Sequence, residues 1–340
     1  MARGATIYDV AERAGVSLAT VSRVVNRVGN VRPATAERVQ KAIDELGYVR
    51  DISAQSLARR GSPFVGLLLR DPRNPIYGEL LYQVQRSFAS IGLQVITVSP
   101  SVTRGENFEL EGIDTLTGLK PRGLLIATGT VPLSEVAEVA EKIPTVVLLR
   151  PVGDTPVSSV SLAEEHSVGD LARVVVQAGH RHIVLVGTSL EKSAVEYNRT
   201  QHLREVLAAQ GVKVTVSGCS DNKWLEAHCN EFICEVDRST ATCIMASNDI
   251  KALVLLEAAQ RQGIPVPEDL SITGFDGIGR VVPLTGLTTV RWPVEKVARL
   301  AATTMEQLLY PESGAGHIRH SLEGEIIAGA TLKILNRRAN

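Results

Sequence analysis

From Pro63 onward the chain alternates short β-branched apolar runs with amphipathic stretches, and this alternation restricts the fold more than any other feature. The runs are FVGLLL (64–69), QVITV (94–98), GLLIA (123–127), TVVLL (145–149), HIVLVG (182–187), VKVTV (212–216), ATCIMA (241–246) and LSITGF (270–275). Between them, residues 78–91, 134–142, 168–178, 199–210 and 250–262 carry helical periodicity. A strand that is apolar throughout is one buried on both faces, which predicts parallel sheets covered by helices. Eight such runs exceed what one open sheet usually carries, so two similar α/β lobes are expected within the 340 residues. No run approaches the roughly 18 uninterrupted apolar residues of a membrane span. Residues 1–8 lack the apolar core of a signal peptide, so a cytoplasmic protein without membrane partners is expected.

The first sixty residues have a different texture. Thr6 with Asp9 three residues on makes a capping-box start for a helix over Ile7–Ala14. Gly15 ends that helix, Ser17 caps a second over 18–25, and Pro33 opens a third that runs to Leu46 before Gly47. Residues 49–62, VRDISAQSLARRGS, fit a short helix with too little apolar surface to stand alone. Residues 1–62 hold ten Lys/Arg against six Asp/Glu, a net +4; with −1 for the whole chain, the remainder carries −5. A basic head on an acidic body suits a phosphate-binding module attached to a sensor.

Within the head, IYDVAERAGVSLATVSRVVN (7–26) has a spacing with a geometric meaning. Ala11 is small where two helices cross closely, Gly15 suits the left-handed turn between them, and Val21 is apolar where the second helix meets the first. That is the helix-turn-helix pattern. Val10, Val21, Val24 and Val25 are expected to face the core, leaving Leu18, Ala19, Ser22 and Arg23 outward. A helical hairpin with no role on DNA shares much of this pattern.

The order of motifs resembles the LacI family of bacterial regulators. Thr6-Ile7-Tyr8-Asp9-Val10-Ala11, Gly15-Val16-Ser17 and Thr20-Val21-Ser22-Arg23-Val24-Val25-Asn26 follow the family head. NPIYGEL (74–80), ASNDIKA (246–252), VPEDLSITGFD (266–276) and Ala330-Thr331 follow its body. The resemblance implies an N-terminal all-α helix-turn-helix head (1–49), a hinge helix (50–62), and an effector-binding and dimerisation domain (63–340) of the type I periplasmic-binding-protein-like fold. Its first Rossmann-like lobe would hold about 63–162 and 292–326, and its second about 163–291 and 327–340. The chain would cross between them near 161–164, 290–293 and 325–328.

The resemblance also assigns residues. Leu18, Ala19 and Arg23 fall where the family reads base edges, with Arg23 the polar reader. Thr6, Tyr8, Ser17, Thr20, Ser22, Asn26 and Thr35 fall on phosphate-holding positions. Leu57, beside small Ala54, takes the place of the leucine that wedges into the minor groove; packing within a linker helix is the alternative. Arg50-Asp51 stands where the family usually has Pro-Asn. For the effector, Arg199, Asn248 and Asp276 are implied in the second lobe, Ile76 and Tyr77 in the first, and Trp224 as a stacking wall. Asn248 would face the cleft while Asp249 caps its helix.

Two departures bear on the effector. After VVLL (146–149) the chain has Arg150-Pro151 where many members place an aspartate, and EEHSVG (164–169) replaces a common Asp-Asn pair. A sugar or sugar derivative is expected. The alternatives are a nucleoside or an anionic metabolite such as a sugar acid or sugar phosphate, held by Arg199 beside Arg150 and Arg70. Arg150 pairing with Asp154 at the surface would remove the anionic reading.

The expected partners are near-palindromic double-stranded operator DNA, a small-molecule effector and a second copy of the chain, since a homodimer matches a two-fold operator. The end of the chain has no heptad-patterned tail of the kind that makes tetramers. No cofactor or metal is expected: Cys219, Cys229, Cys234 and Cys243 match no zinc or disulfide spacing, and a site from His228, Cys229 and Cys234 is a poor fit. Gly-x-Ser-x-Gly, phosphate-loop and His-Glu-x-x-His motifs are missing, so the chain is not read as an enzyme. A solute-binding protein and an architectural DNA-bending protein are the rival classes.

Overall fold

The structure, a computed structural model, describes residues 5–26, 29–48, 62–72, 74–99, 108–217, 222–277, 279–311 and 316–335. The hinge assignments at Ala54 and Leu57, with Arg50 and Asp51, lie outside these residues, as does Cys219. The chain forms two compact units, residues 1–62 and 63–340.

The first unit holds α1 (Ile7–Ala14), α2 (Leu18–Asn26) and α3 (Pro33–Leu46). Thr6 closes a complete capping box: its hydroxyl accepts from the Asp9 amide, and the Asp9 carboxylate accepts from the Thr6 amide at 2.7 Å. Gly15 ends α1 at φ 65°, a conformation that only glycine adopts without steric cost. Val10, Ala11, Ala14, Val21, Val39 and Ala42 form the small core, with Val24 and Val25 half-buried against it. Leu18, Ala19 and Arg23 are exposed, and Ser22 is half-buried.

The second unit contains two parallel sheets. The first runs β11-β5-β4-β3-β1-β2, from β1 (Phe64–Leu69), β2 (Gln94–Val98), β3 (Leu124–Ala127), β4 (Thr145–Leu148), β5 (Ser158–Leu162) and β11 (Arg319–Leu322). The second runs β7-β6-β8-β9, from β6 (His182–Val186), β7 (Lys213–Ser217), β8 (Cys243–Ala246) and β9 (Ser271–Thr273). β1 is buried along its whole length because helices cover both its faces: Leu67 joins the cluster with Leu80 and Val84, while Leu68 joins Ile113 and Leu116. Edge strands β2 and β7 are only partly buried.

Helices Pro75–Ser90 and Val294–Leu309 cover one face of the first sheet, and Phe108–Gly118 and Leu133–Ala140 the other. Around the second sheet, Glu164–Gln177 and Ala194–Ala209 lie on one side and Asn222–Glu235 and Asp249–Arg261 on the other. Between the sheets, β10 (Thr289–Arg291) pairs antiparallel with β12 (Glu325–Ile327), with Val290 opposite Ile326. Gly277 sits at φ 66° beside this crossing, where a Cβ would lie 2.3 Å from the Arg291 Cα. No described helix is long and apolar enough to cross a membrane.

Candidate functional site: an exposed recognition helix and an interlobe cleft

In the first unit, the outward face of α2 is assembled by its N-terminal turn. Ser17 accepts from the Thr20 amide at 3.2 Å, and the two hydroxyls share a hydrogen bond of 2.9 Å. This leaves Leu18, Ala19 and Arg23 on one accessible surface, with Tyr8 of α1 68% exposed. An α-helix presented this way fits the width of the DNA major groove. Thr35 is half-buried in the first turn of α3, and Asn26 closes α2.

In the second unit, a cleft opens between the sheets at the carboxyl ends of their strands, where side chains of open parallel sheets converge. Ile76 and Tyr77 enter it from the start of the helix Pro75–Ser90, which Asn74 caps through its side chain. Burial pushes the Tyr77 phenol up to about 12, against the opposing field of Arg70, so it stays protonated. Arg150 follows β4, next to Leu149 at φ 63°. Its guanidinium donates to the carbonyls of Val131 at 2.8 Å and Thr128 at 3.3 Å, not to Asp154. Beneath the same loop Glu109 accepts from the hydroxyls of Thr128 and Thr130.

Arg199, Asn248 and Asp276 line the opposite wall. Arg199 is 4% exposed and forks onto Glu164 through Nε at 2.8 Å and Nη2 at 2.5 Å, while Nη1 donates to the Ser247 carbonyl at 2.5 Å. Asp276 lies 3.8 Å from Nη1, and the Phe275 ring stacks beneath the guanidinium at 4.3 Å. Burial opposes the charge of Arg199, but Glu164, Asp276 and Glu196 outweigh it and raise its pKa. Asp276 itself, at φ 119°, is raised well above the ordinary carboxylate range by burial, with Arg199 opposing and Asp249 adding to the effect.

Several cleft residues were not singled out by sequence reasoning. Glu196 accepts at one oxygen from Lys251 Nζ (2.5 Å), Ser247 Oγ (2.7 Å) and Asn248 Nδ2 (3.0 Å). Burial raises its pKa, but the fully buried Lys251 ammonium and these hydrogen bonds prevail and hold it at about 2. Trp292 also lines the cleft, as does Glu164, which opens the EEHSVG segment noted in the sequence. The available signal was position: Glu196 stands in the first turn of the helix Ala194–Ala209, and Trp292 directly follows β10.

Two expectations are corrected. Trp224 is not part of the cleft wall: it stacks on His228, with ring centroids 4.7 Å apart, beside a separate depression with His182 and Phe232. Trp224 packs beside the second sheet's own core, so Trp292 supplies the aromatic wall instead. Asp249 is not the helix cap. Asn248 caps, accepting from the Lys251 amide at 2.8 Å, and the buried Asp249 accepts from the Thr289 hydroxyl at 2.6 Å. Asn248 performs both tasks because its two side-chain ends point apart, the oxygen to the helix and the nitrogen to Glu196.

Comparison with known proteins agrees with this architecture. Residues 6–51 match the profile described as bacterial regulatory proteins, lacI family, and residues 172–332 match a periplasmic binding protein-like domain. HTH-type transcriptional regulator DegA of Bacillus subtilis is 30% identical over 299 residues, covering 86% of this chain and 88% of its own. Catabolite control protein A of Priestia megaterium is 30% identical over 315 residues, covering 91% and 93%. Among solved structures, the lac repressor dimer bound to operator and the anti-inducer ONPF aligns with a TM-score of 0.78 over 97% of this chain and 100% of that one, at 22% identity, which establishes a shared fold. The capped helix-turn-helix, the paired parallel sheets and these relatives place the chain in the lacI family of bacterial regulatory proteins: it is a DNA-binding transcriptional regulator, not an enzyme.

Proposed function

We propose that the chain is a homodimeric repressor acting in the bacterial cytoplasm, whose affinity for a near-palindromic operator is set by a small hydroxylated effector bound between the lobes. Residues 1–49 would bind DNA, 50–62 would form the hinge, and 63–340 would sense the effector and dimerise. Arg23, Leu18 and Ala19 read base edges; Thr6, Tyr8, Ser17, Thr20, Ser22, Asn26 and Thr35 hold phosphates; Ala54 and Leu57 enter the minor groove. The lac repressor relative, solved as a dimer on operator with an anti-inducer, supports this division of labour.

The observation that carries the effector reading is the opposite wall of the cleft. Glu196, Asn248 and Asp276 stand beside Trp292 and Phe275-backed Arg199, an arrangement that takes ring hydroxyls on one side and an apolar ring face on the other. Ile76, Tyr77 and Arg150 oppose them from the first lobe. Arg199 orients this wall and does not supply a spare positive charge, because Glu164 already takes its fork. Occupancy shifts the population of lobe angles, and with it the hinge.

The test is operator binding by the full-length chain, on a site selected from random duplexes, titrated with a panel of sugars, sugar acids, sugar phosphates and nucleosides. One class should change affinity at least about tenfold, a coupling within the usual allosteric range. Indifference to all of them, with no ligand raising the melting temperature, would return the chain to the architectural DNA-bending class.

A further inference from the structure

Among the described residues, the first lobe contributes two cationic side chains to the cleft, Arg70 and Arg150. They flank one loop. Arg150 is anchored on the carbonyls of Thr128 and Val131, and Arg70 Nη1 approaches within 3.6 Å of where a Cβ on Gly129 would be. Arg70 also spans the cleft, donating to Ser193 Oγ at 3.1 Å and to the Lys192 carbonyl.

Their electrostatic situation is opposite to that of Arg199. Arg199 is forked onto a carboxylate, and Lys251 likewise meets Glu196. The hydrogen bonds that Arg70 and Arg150 make among the described residues run to neutral oxygens only. The Glu109 carboxylate below Arg150 is engaged by two threonine hydroxyls; burial lowers the Arg150 pKa and Glu109 only partly offsets this. Asp71 shares the lining and has a partner of its own. A half-buried guanidinium held by carbonyls keeps N–H groups and most of its charge for an oxyanion.

We propose that Arg70 and Arg150 form a subsite for an anionic group of the effector, a carboxylate or a phosphate, whose hydroxylated remainder lies against Glu196, Asn248 and Asp276. This rests on the reading of the cleft as the effector site and narrows it to anionic hydroxylated metabolites. The anion would sit beside the Arg70 bridge to Ser193, so that binding also steadies the closed arrangement of the lobes.

The experiment is a thermal-shift titration of the full-length protein with inorganic phosphate at constant ionic strength, on the wild type, Arg70→Gln, Arg150→Gln and the charge-retaining Arg150→Lys. Phosphate also stabilises proteins generally by exclusion from their surface, so the readout is the difference between chains. The expected result is a saturable shift in the wild type, weakened about tenfold or more in both glutamine variants and partly kept in Arg150→Lys. Equal shifts in all four chains, with far-UV circular dichroism showing each folded, overturn the subsite. A matched series of glucose, gluconate and glucose 6-phosphate separates a neutral ligand from a carboxylate and a phosphate. A neutral sugar that alters operator affinity while both anions do nothing overturns the subsite and leaves the cleft reading standing. If Asn248→Ala changes the affinity of no ligand while Arg150→Gln still abolishes the phosphate shift, the cleft reading fails and the anion site does not.

Discussion

Arg199 grips Glu164 with two parallel hydrogen bonds of 2.8 and 2.5 Å, and so joins the helix Ala194–Ala209 to the first residue of the helix Glu164–Gln177. A bidentate pair inside a protein is costly to break because the surviving partner stays buried with its charge. Arg199→Ala and Glu164→Gln should each destabilise the body by about 3 kcal/mol in urea unfolding. The double variant should recover part of that loss, giving a coupling of about 2 kcal/mol. Additive losses would mean that the two side chains act independently.

Sequence and structure agree where physical signals are one-dimensional. β1 and β2 have the limits that their apolar runs predict, and α1 has those of its capping box. β5 went unread because Ser158, Ser159 and Ser161 are buried yet polar, so no apolar period marks the strand. Helices expected at 78–91 and 199–210 start earlier, at Pro75 and Ala194, because Asn74 and Ser193 cap them ahead of the apolar repeat. The cleft's charge pairing was invisible for another reason. Whether Arg199 has a spare charge depends on Glu164, 35 residues away in sequence, and no spacing rule links them.

Acid should loosen the body through Glu196. Its folded pKa of about 2 lies below the ordinary 4.5, so the stability it contributes is complete above about pH 4.5 and is lost as pH falls toward 2. The difference corresponds to about 3 kcal/mol. Glu196→Gln should therefore be less stable than the wild type at pH 7 and should flatten the pH dependence between 4.5 and 2, measured by urea midpoints. An unchanged acid slope in the variant would refute the assignment of that slope to Glu196.

Asp276 has the opposite sign. Its folded pKa is raised by burial and by Asp249, so its ionised form opposes folding once the pH exceeds the unfolded value near 3.8. Its φ of 119° is a strained backbone conformation that the substitution leaves unchanged. Asp276→Asn should hold or raise stability at pH 7 by about 1 kcal/mol while weakening the effector response. A variant that is both less stable and fully responsive would contradict both parts.

The recognition helix gives the last test. Arg23 is exposed on α2, clear of the core that Val10, Val21 and Val39 form, so truncating it should leave the head folded. If Arg23 reads a base edge, Arg23→Ala costs about 1–3 kcal/mol at the operator and relaxes discrimination at one base pair in each half-site. If it contacts only phosphate, binding weakens on all sequences alike and the salt dependence of the binding constant falls by about one ion per contact. Competition binding of wild type and variant to a panel of singly substituted operators, at two salt concentrations, separates these results. A loss confined to one position with an unchanged salt slope identifies the base contact. Leu18→Ala, on the same face without charge, should show the sequence effect alone, through loss of an apolar contact such as a thymine methyl.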